Sequence, residues 1–191
     1  GATLAAGLAF SWFRDTAAPG MSFQSLEEEA GTIPPGAENL LFHPYLAGRR
    51  SPEREPDASA AFTGLRVHHT RAHMVRAVLE GVAFELRGLL DIMRDAGHDT
   101  GNILCAVGGS TGTVWTGILA DVFNAPVTVL PDAERACLGA AMTAGIGVGA
   151  FSDWGDAVGR LPAGGRTVEP SADTAAVYDE TYERFRRSHP G

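Results

Sequence analysis

Gly108, Gly109 and Ser110 follow at once on the apolar run Ile103-Leu104-Cys105-Ala106-Val107, and a periodic segment from Val114 to Phe123 comes next. The run reads as a buried strand, the small residues as a tight turn and the periodic segment as the start of a helix. Glycine lets a ligand approach the main chain closely. The amides at a helix start point toward such a ligand and suit phosphate or other polar groups. A nucleotide-facing corner and a plain tight turn both satisfy this pattern. Arg49 and Arg50 stand side by side in the turn-rich stretch Pro44 to Pro52, where they either clamp a phosphate bidentately or form an exposed basic loop.

Other reactive side chains point away from chemistry. His69 and His73 are four apart, as zinc ligands on a helix can be, but Thr70 between them is a helix N-cap and no third ligand follows. They read as solvated histidines, and no metal ligand is assigned. The acidic run Glu27-Glu28-Glu29 reads as a solvated helix face or loop. Asp91 and Asp95 fall on the outer face of a helix and read as solvated, so no carboxylate is nominated as a catalytic base. Cys105 and Cys137 are far apart and lack metal-site spacing, as expected of reduced core thiols in a cytoplasmic protein.

The elements that would carry these residues follow from periodicity. Thr3 to Asp15 reads as a helix with Leu4, Ala5, Leu8 and Trp12 on one face. Asn39 to Phe42 and Ala60 to Leu65 read as short strands. Thr70 opens a long helix with Met74, Val75, Val78, Leu79, Val82, Ala83, Leu86, Leu89, Leu90 and Met93 inward, ending at Gly97. Ala77 and Gly81 on that helix allow close approach of another helix. Val127 to Leu130 is a second core strand. The helix from Glu134 to about Gly147 is rich in small residues, so either it is a core helix or its face makes room for a flat ligand. Ala150 to Arg166 is turn-rich. Ser171 to Ser188 is a last helix with Val177, Tyr178, Tyr182 and Phe185 inward and Glu180–Arg184 and Glu183–Arg187 pairs outside. Strand–helix alternation in the second half predicts an α/β fold with parallel strands.

The 191 residues are 45% hydrophobic and 20% charged, an ordinary globular composition with enough length for a sizeable core. A net charge of −8 and the lack of a Lys/Arg stripe argue against a nucleic-acid surface. No apolar run reaches membrane-spanning length and no signal peptide is visible. The chain opens on Gly1-Ala2-Thr3-Leu4 without Met, as expected of a cut through a longer protein.

Four motifs, in order, resemble the FGGY group of carbohydrate kinases. Phe62-x-Gly64-Leu65, seven residues, His73-Met74 and Ala77-Val78-Leu79-Glu80 is similar to the group's C-terminal signature, and Gly81-Val82-Ala83-Phe84 extends it. Pro44-Tyr45-Leu46-x-Gly48-x-Arg50-Ser51-Pro52 resembles its Gly-Glu-Arg-Thr-Pro loop, with Arg49 where glutamate is usual and Ser51 for threonine. Gly108-Gly109-Ser110 with Ala120-Asp121-Val122-Phe123 is similar to its adenosine turn and following helix. Glu134-x-Ala136-x-Leu138-Gly139-Ala140-Ala141 is similar to its helix beside the adenine, and Trp12-Phe13-Arg14-Asp15 resembles the xylulose kinase branch.

This resemblance implies a ribonuclease H-like, actin-like ATPase fold, with residues 1–191 forming most of the C-terminal lobe as a mixed sheet flanked by helices. It implies that Gly108, Gly109, Ser110 and Thr113 contact the adenosine of ATP. Thr113 stands where relatives carry asparagine and can replace one of that amide's hydrogen bonds but not both. ATP and Mg²⁺ are the implied cofactors. The implied partners are a small sugar, most similarly D-xylulose, and the chain's own N-terminal lobe, with a homodimer as an option. The sugar pocket and the aspartate base are expected in the N-terminal lobe, so the segment alone is expected to be inactive. The alternatives are a non-catalytic actin-like nucleotide-binding or regulatory domain, or a kinase for gluconate, ribulose or glycerol.

Overall fold

A 25-residue helix forms the axis of the molecule in the computed structural model, which describes residues 3, 6–101, 103–106, 112–130, 135–160 and 164–188. α1 (Ala6–Ala17), α2 (Phe23–Gly31), a 3-10 turn (Ala37–Asn39), β1 (Leu41–His43) and β2 (Ala61–Thr63) precede that helix. The axis itself is α3 (Arg71–Asp95), capped by Thr70, whose main-chain N–H donates to His73 Nδ1 at 3.2 Å. It stops at Ala96, and Gly97 follows at φ +82°, the left-handed conformation that glycine adopts without strain. Val75, Val78, Leu79, Val82 and Ala83 of α3 are buried, as the periodicity predicts, Phe84 is buried as well, and Met93 near the helix end is exposed.

The first helix turns the other way from its predicted face. Ala9, Phe10 and Phe13 are buried while Leu8 and Trp12 are largely exposed. The two phenylalanines bury more apolar surface and set the rotation, with Phe10 meeting the ring of Phe23 at 5.0 Å. β1 and β2 pair antiparallel with Phe42 opposite Phe62. This hairpin, not a helix, is what lies on Gly81: a β-carbon there would overlap the carbonyl oxygen of Phe42.

The second half contains β3 (Ile103–Cys105), α4 (Thr113–Phe123), β4 (Val127–Val129), α5 (Arg135–Gly147), α6 (Trp154–Gly159), β5 (Arg166–Val168) and α7 (Ala172–Arg187). β3 and β4 are parallel, as the alternation predicts, and β5 joins β4 antiparallel, giving a mixed sheet in the order β3-β4-β5. α6 lies within the stretch read as turns, and β5 begins at its last residue, Arg166. α7 inserts Tyr178, Tyr182 and Phe185 into the core, but Val177 is exposed. Its expected surface pairs do not form as read: Arg184 bonds to the side chain and carbonyl of Asn39, and Glu183 pairs with Arg186. Among the described residues, no helix is long and apolar enough to cross a membrane.

Candidate functional site at the start of α4

Gly108, Gly109 and Ser110 lie outside the described residues. Thr113 is the first residue of α4 and its side chain is exposed. Gly112, the residue before it, has φ −56° and ψ 137°, a conformation open to any residue. Its smallness serves space instead. A β-carbon on Gly112 would fall inside the carboxylate of Glu27, which reaches this point from α2 and is 4% exposed. Behind the first turn, buried Thr116 donates its hydroxyl to the Gly112 carbonyl at 3.0 Å and accepts from Arg166 Nη2 of β5 at 3.0 Å. The entrance to α4 is thus held by groups from α2 and β5 as well as by its own turn.

The acidic run is therefore not uniformly solvated. Glu28 faces solvent, and Glu29 receives two hydrogen bonds from Arg71, at 3.0 and 2.6 Å, which hold its carboxyl below the usual carboxylate range. Glu27 is buried. The spacing held a clue: Leu26, Glu27 and Ala30 share one flank of α2, and both apolar members are fully buried.

The arginine loop does not offer a free phosphate clamp. Arg49 Nη1 is 3.1 Å from Glu55 Oε1, its Nε is 3.9 Å from Glu85 Oε1, and its guanidinium lies over the Tyr45 ring. Its main chain also exchanges two hydrogen bonds with Glu55, so side chain and backbone close the same loop. Arg50 is exposed. Asp91 is half-buried rather than solvated, accepting from Tyr182 Oη at 3.0 Å and Arg94 Nη1 at 3.2 Å, while Asp95 is exposed as read. Cys105 is half-buried and its thiol is pushed up by burial; Cys137 is exposed, not a core thiol.

The histidines form a clasp. His68, His69 and His73 gather round Glu38, and His73 is buried rather than solvated. Glu38 Oε2 is 3.3 Å from His68 Nε2 and 3.6 Å from His73 Nε2. His69 Nδ1 accepts from the Arg66 N–H and His73 Nδ1 from the Thr70 N–H. In their neutral forms both rings then carry the proton on Nε2 and cannot offer that nitrogen to a metal. The donors face Glu38, which sits in a left-handed turn where Ala37, Glu38 and Asn39 have φ of 45°, 50° and 76°. These side chains hold a strained turn that the sequence did not reveal. Among the described residues, Glu38, His68 and His69 come together with metal-ligand spacing.

α5 is not a core helix: Ala140, Ala141 and Ala144 are exposed, and among its described side chains Met142 is the buried one. A parallel β3–α4–β4 unit in a mixed three-stranded sheet flanked by helices gives the α/β arrangement of an actin-like ATPase fold. Residues 1–148 match the sequence profile described as the FGGY family of carbohydrate kinases, C-terminal domain, and the chain belongs to that family. It is similar to the xylulose kinase of Bacillus subtilis, with 32% identity over 186 residues, covering 97% of this chain and 37% of that protein. It is also similar to the gluconokinase of the same organism, 31% identical over 183 residues and covering 90% of this chain. The crystal structure of xylulose kinase from Rhodospirillum rubrum superimposes with a TM-score of 0.81 at 35% identity, over 95% of this chain and 37% of that one. The chain thus spans little more than a third of the length of these relatives.

Proposed function

We propose that residues 1–191 are most of the C-terminal, nucleotide-binding lobe of a cytoplasmic, ATP-dependent carbohydrate kinase. The parent transfers the γ-phosphate of ATP to a hydroxyl of D-xylulose, giving D-xylulose 5-phosphate. In this reading Gly108 and Gly109 let the adenosine lie against unhindered main chain, Ser110 supplies a small polar group, and Thr113 offers a hydroxyl from the first turn of α4. One observation carries it: β3 and β4 are parallel and joined through α4, so the 106–112 connection leaves the carboxyl end of a strand, where open α/β sheets take their ligands. The sugar pocket and the base belong to the N-terminal lobe. Mg²⁺ belongs with the ATP phosphates and with residues outside this chain. Closure of the two lobes expels water and brings ATP to the sugar, and a homodimer is part of the same proposal.

The likeness to a gluconokinase keeps gluconate as a second acceptor. A coupled ADP-release assay with xylulose, gluconate, ribulose and glycerol tests the reading on the parent and on the 191-residue chain. Turnover is expected in the parent with xylulose and none in the chain alone; a parent indifferent to every sugar and polyol defeats it. Gly109→Val is expected to weaken adenosine binding by about tenfold, or about 1.4 kcal/mol, in calorimetry, with the melting temperature retained.

A further inference from the structure

A cleft of about 360 Å³ opens between the second half of α3, the 44–52 loop and α7. That volume lies within the range of small-molecule sites, about 300–1,000 Å³. Three polar side chains in its wall are more than nine-tenths buried: Tyr45, Glu85 and Tyr182, at 4%, 7% and 4% exposure. Burial pushes both tyrosine hydroxyls up, so both stay protonated and donate. Tyr45 Oη meets Glu85 Oε2 at 3.2 Å, and Tyr182 Oη meets Asp91 Oδ2 at 3.0 Å. Phe84, Phe185 and Pro52 supply the apolar part of the wall. Gly88 adds no side chain to it, and a β-carbon there would only touch Tyr182 Oη, at 3.4 Å.

The charges of this wall are already answered within the protein. Arg49 pairs with Glu55 and lies 3.9 Å from Glu85, Arg94 pairs with Asp91, and Arg186 with Glu183. An anion would compete with those carboxylates, and a cation with those guanidinium groups. Asp95 stands at the exposed rim, where water and salt screen it. A hydroxyl has no ion to displace: it donates to a spare lone pair of a paired carboxylate and accepts from a spare guanidinium N–H. We propose that the cleft is a binding site for a neutral polyhydroxylated molecule, a sugar or polyol, whose hydroxyls reach Glu85, Asp91 and Arg49 while its C–H faces lie on the rings. Its occupant joins the 44–52 loop to α3 and α7. The inference does not rest on the nucleotide reading, since no lining residue belongs to the β3–α4 connection.

The test is made on the full-length kinase that contains this chain, without ATP, with xylitol, D-xylose and glycerol as probes. Hydrogen exchange locates the bound molecule, and its titration in the lining segments gives the Kd at this cleft. At least one probe is expected to slow exchange about threefold to tenfold in segments 45–52, 84–95 and 182–186. Inorganic phosphate and putrescine, an anion and a cation, are expected to leave these segments unchanged. Gly88→Met fills the cleft and is expected to raise the probe's Kd by about tenfold or more, with kcat and the acceptor KM within about twofold. Melting curves without ligand report folding. Tyr182→Phe keeps the ring and removes one hydroxyl, so a rise of about threefold is expected, and it carries the test where the Met variant does not fold. Four results each overturn the proposal: no probe slows exchange in these segments, phosphate or putrescine slows it more than any polyol, a folded Gly88 variant keeps the parent's Kd, or the acceptor KM rises in step with that Kd.

Discussion

Three donors converge on one oxygen of Glu80. Arg76 Nε lies at 2.7 Å, the Tyr178 hydroxyl at 2.9 Å and the Gly36 N–H at 3.0 Å, all on Oε1, while Oε2 has no partner. Burial raises the Glu80 carboxyl above its ordinary value despite the opposing pull of Arg76, and burial with the neighbouring Glu80 keeps the Tyr178 hydroxyl protonated. The folded state therefore holds the Glu80 proton more tightly than the unfolded chain. The stability linked to this group is full below the ordinary carboxylate range and is lost as pH rises through the folded-state value. Glu80→Gln keeps an oxygen for all three donors, so it is expected to cost no more than about 1 kcal/mol at neutral pH. It should also flatten the fall in melting temperature that sets in as pH rises above the ordinary carboxylate range. Glu80→Ala strands the buried Arg76 and is expected to cost about 3–5 kcal/mol by denaturant unfolding. None of this was legible in the sequence, where Arg76 and Glu80 look like any i,i+4 helix pair and Tyr178 lies 98 residues from Glu80. Glu27 escaped notice for a related reason, because its identity as a buried group depends on where α4 begins.

Glycines within helices separate by what they face. Gly81 of α3 has the Phe42 carbonyl against it, whereas Gly117 of α4 has nothing within 4 Å. Gly81→Ala is expected to destabilise by about 1–3 kcal/mol through overpacking, and Gly117→Ala to stabilise by about 0.5–1 kcal/mol through helix propensity. Thermal melts of the two single variants give opposite signs if the packing is as described. Elements with strong local signals were readable from sequence: α3 from its cap and long apolar period, β3 and β4 from their apolar runs, although β3, read as buried, has Leu104 58% exposed with Ile103 and Cys105 only partly covered. β5 was not, because Arg166 and Thr167 are exposed on a three-residue strand and the pairing that makes it a strand is with distant Val127 to Val129. The rotation of α1 was misjudged because periodicity alone cannot choose between two apolar faces; the rings of Phe10 and Phe13 chose it. Gly108, Gly109 and Ser110 lie outside the described residues, and the strand–glycine–helix pattern that suggested a nucleotide site there does not distinguish a ligand corner from a simple reversal.

At the scale of the whole molecule, two sheets are tied through α3: the β1–β2 hairpin packs directly on it, and α4, between β3 and β4, packs beside it. α7 closes the assembly from the far end of the chain. Phe185 stacks on His43 at 4.6 Å and packs against Phe84 at 5.4 Å, and Ser188 bonds to His43 across 145 residues. The family profile ends at residue 148, before Phe185 and Ser188 and the whole of α7. A boundary drawn from recurrence in relatives is thus not the boundary at which the interior is sealed. A fragment cut at residue 148 would leave Phe84, His43 and the Arg76–Glu80 pair facing water. It is expected to bind a hydrophobic dye and aggregate, while the 188-residue piece that retains α7 gives a cooperative melt. Anyone trimming this chain for expression or grafting should treat α7 as a keystone, not as a tail.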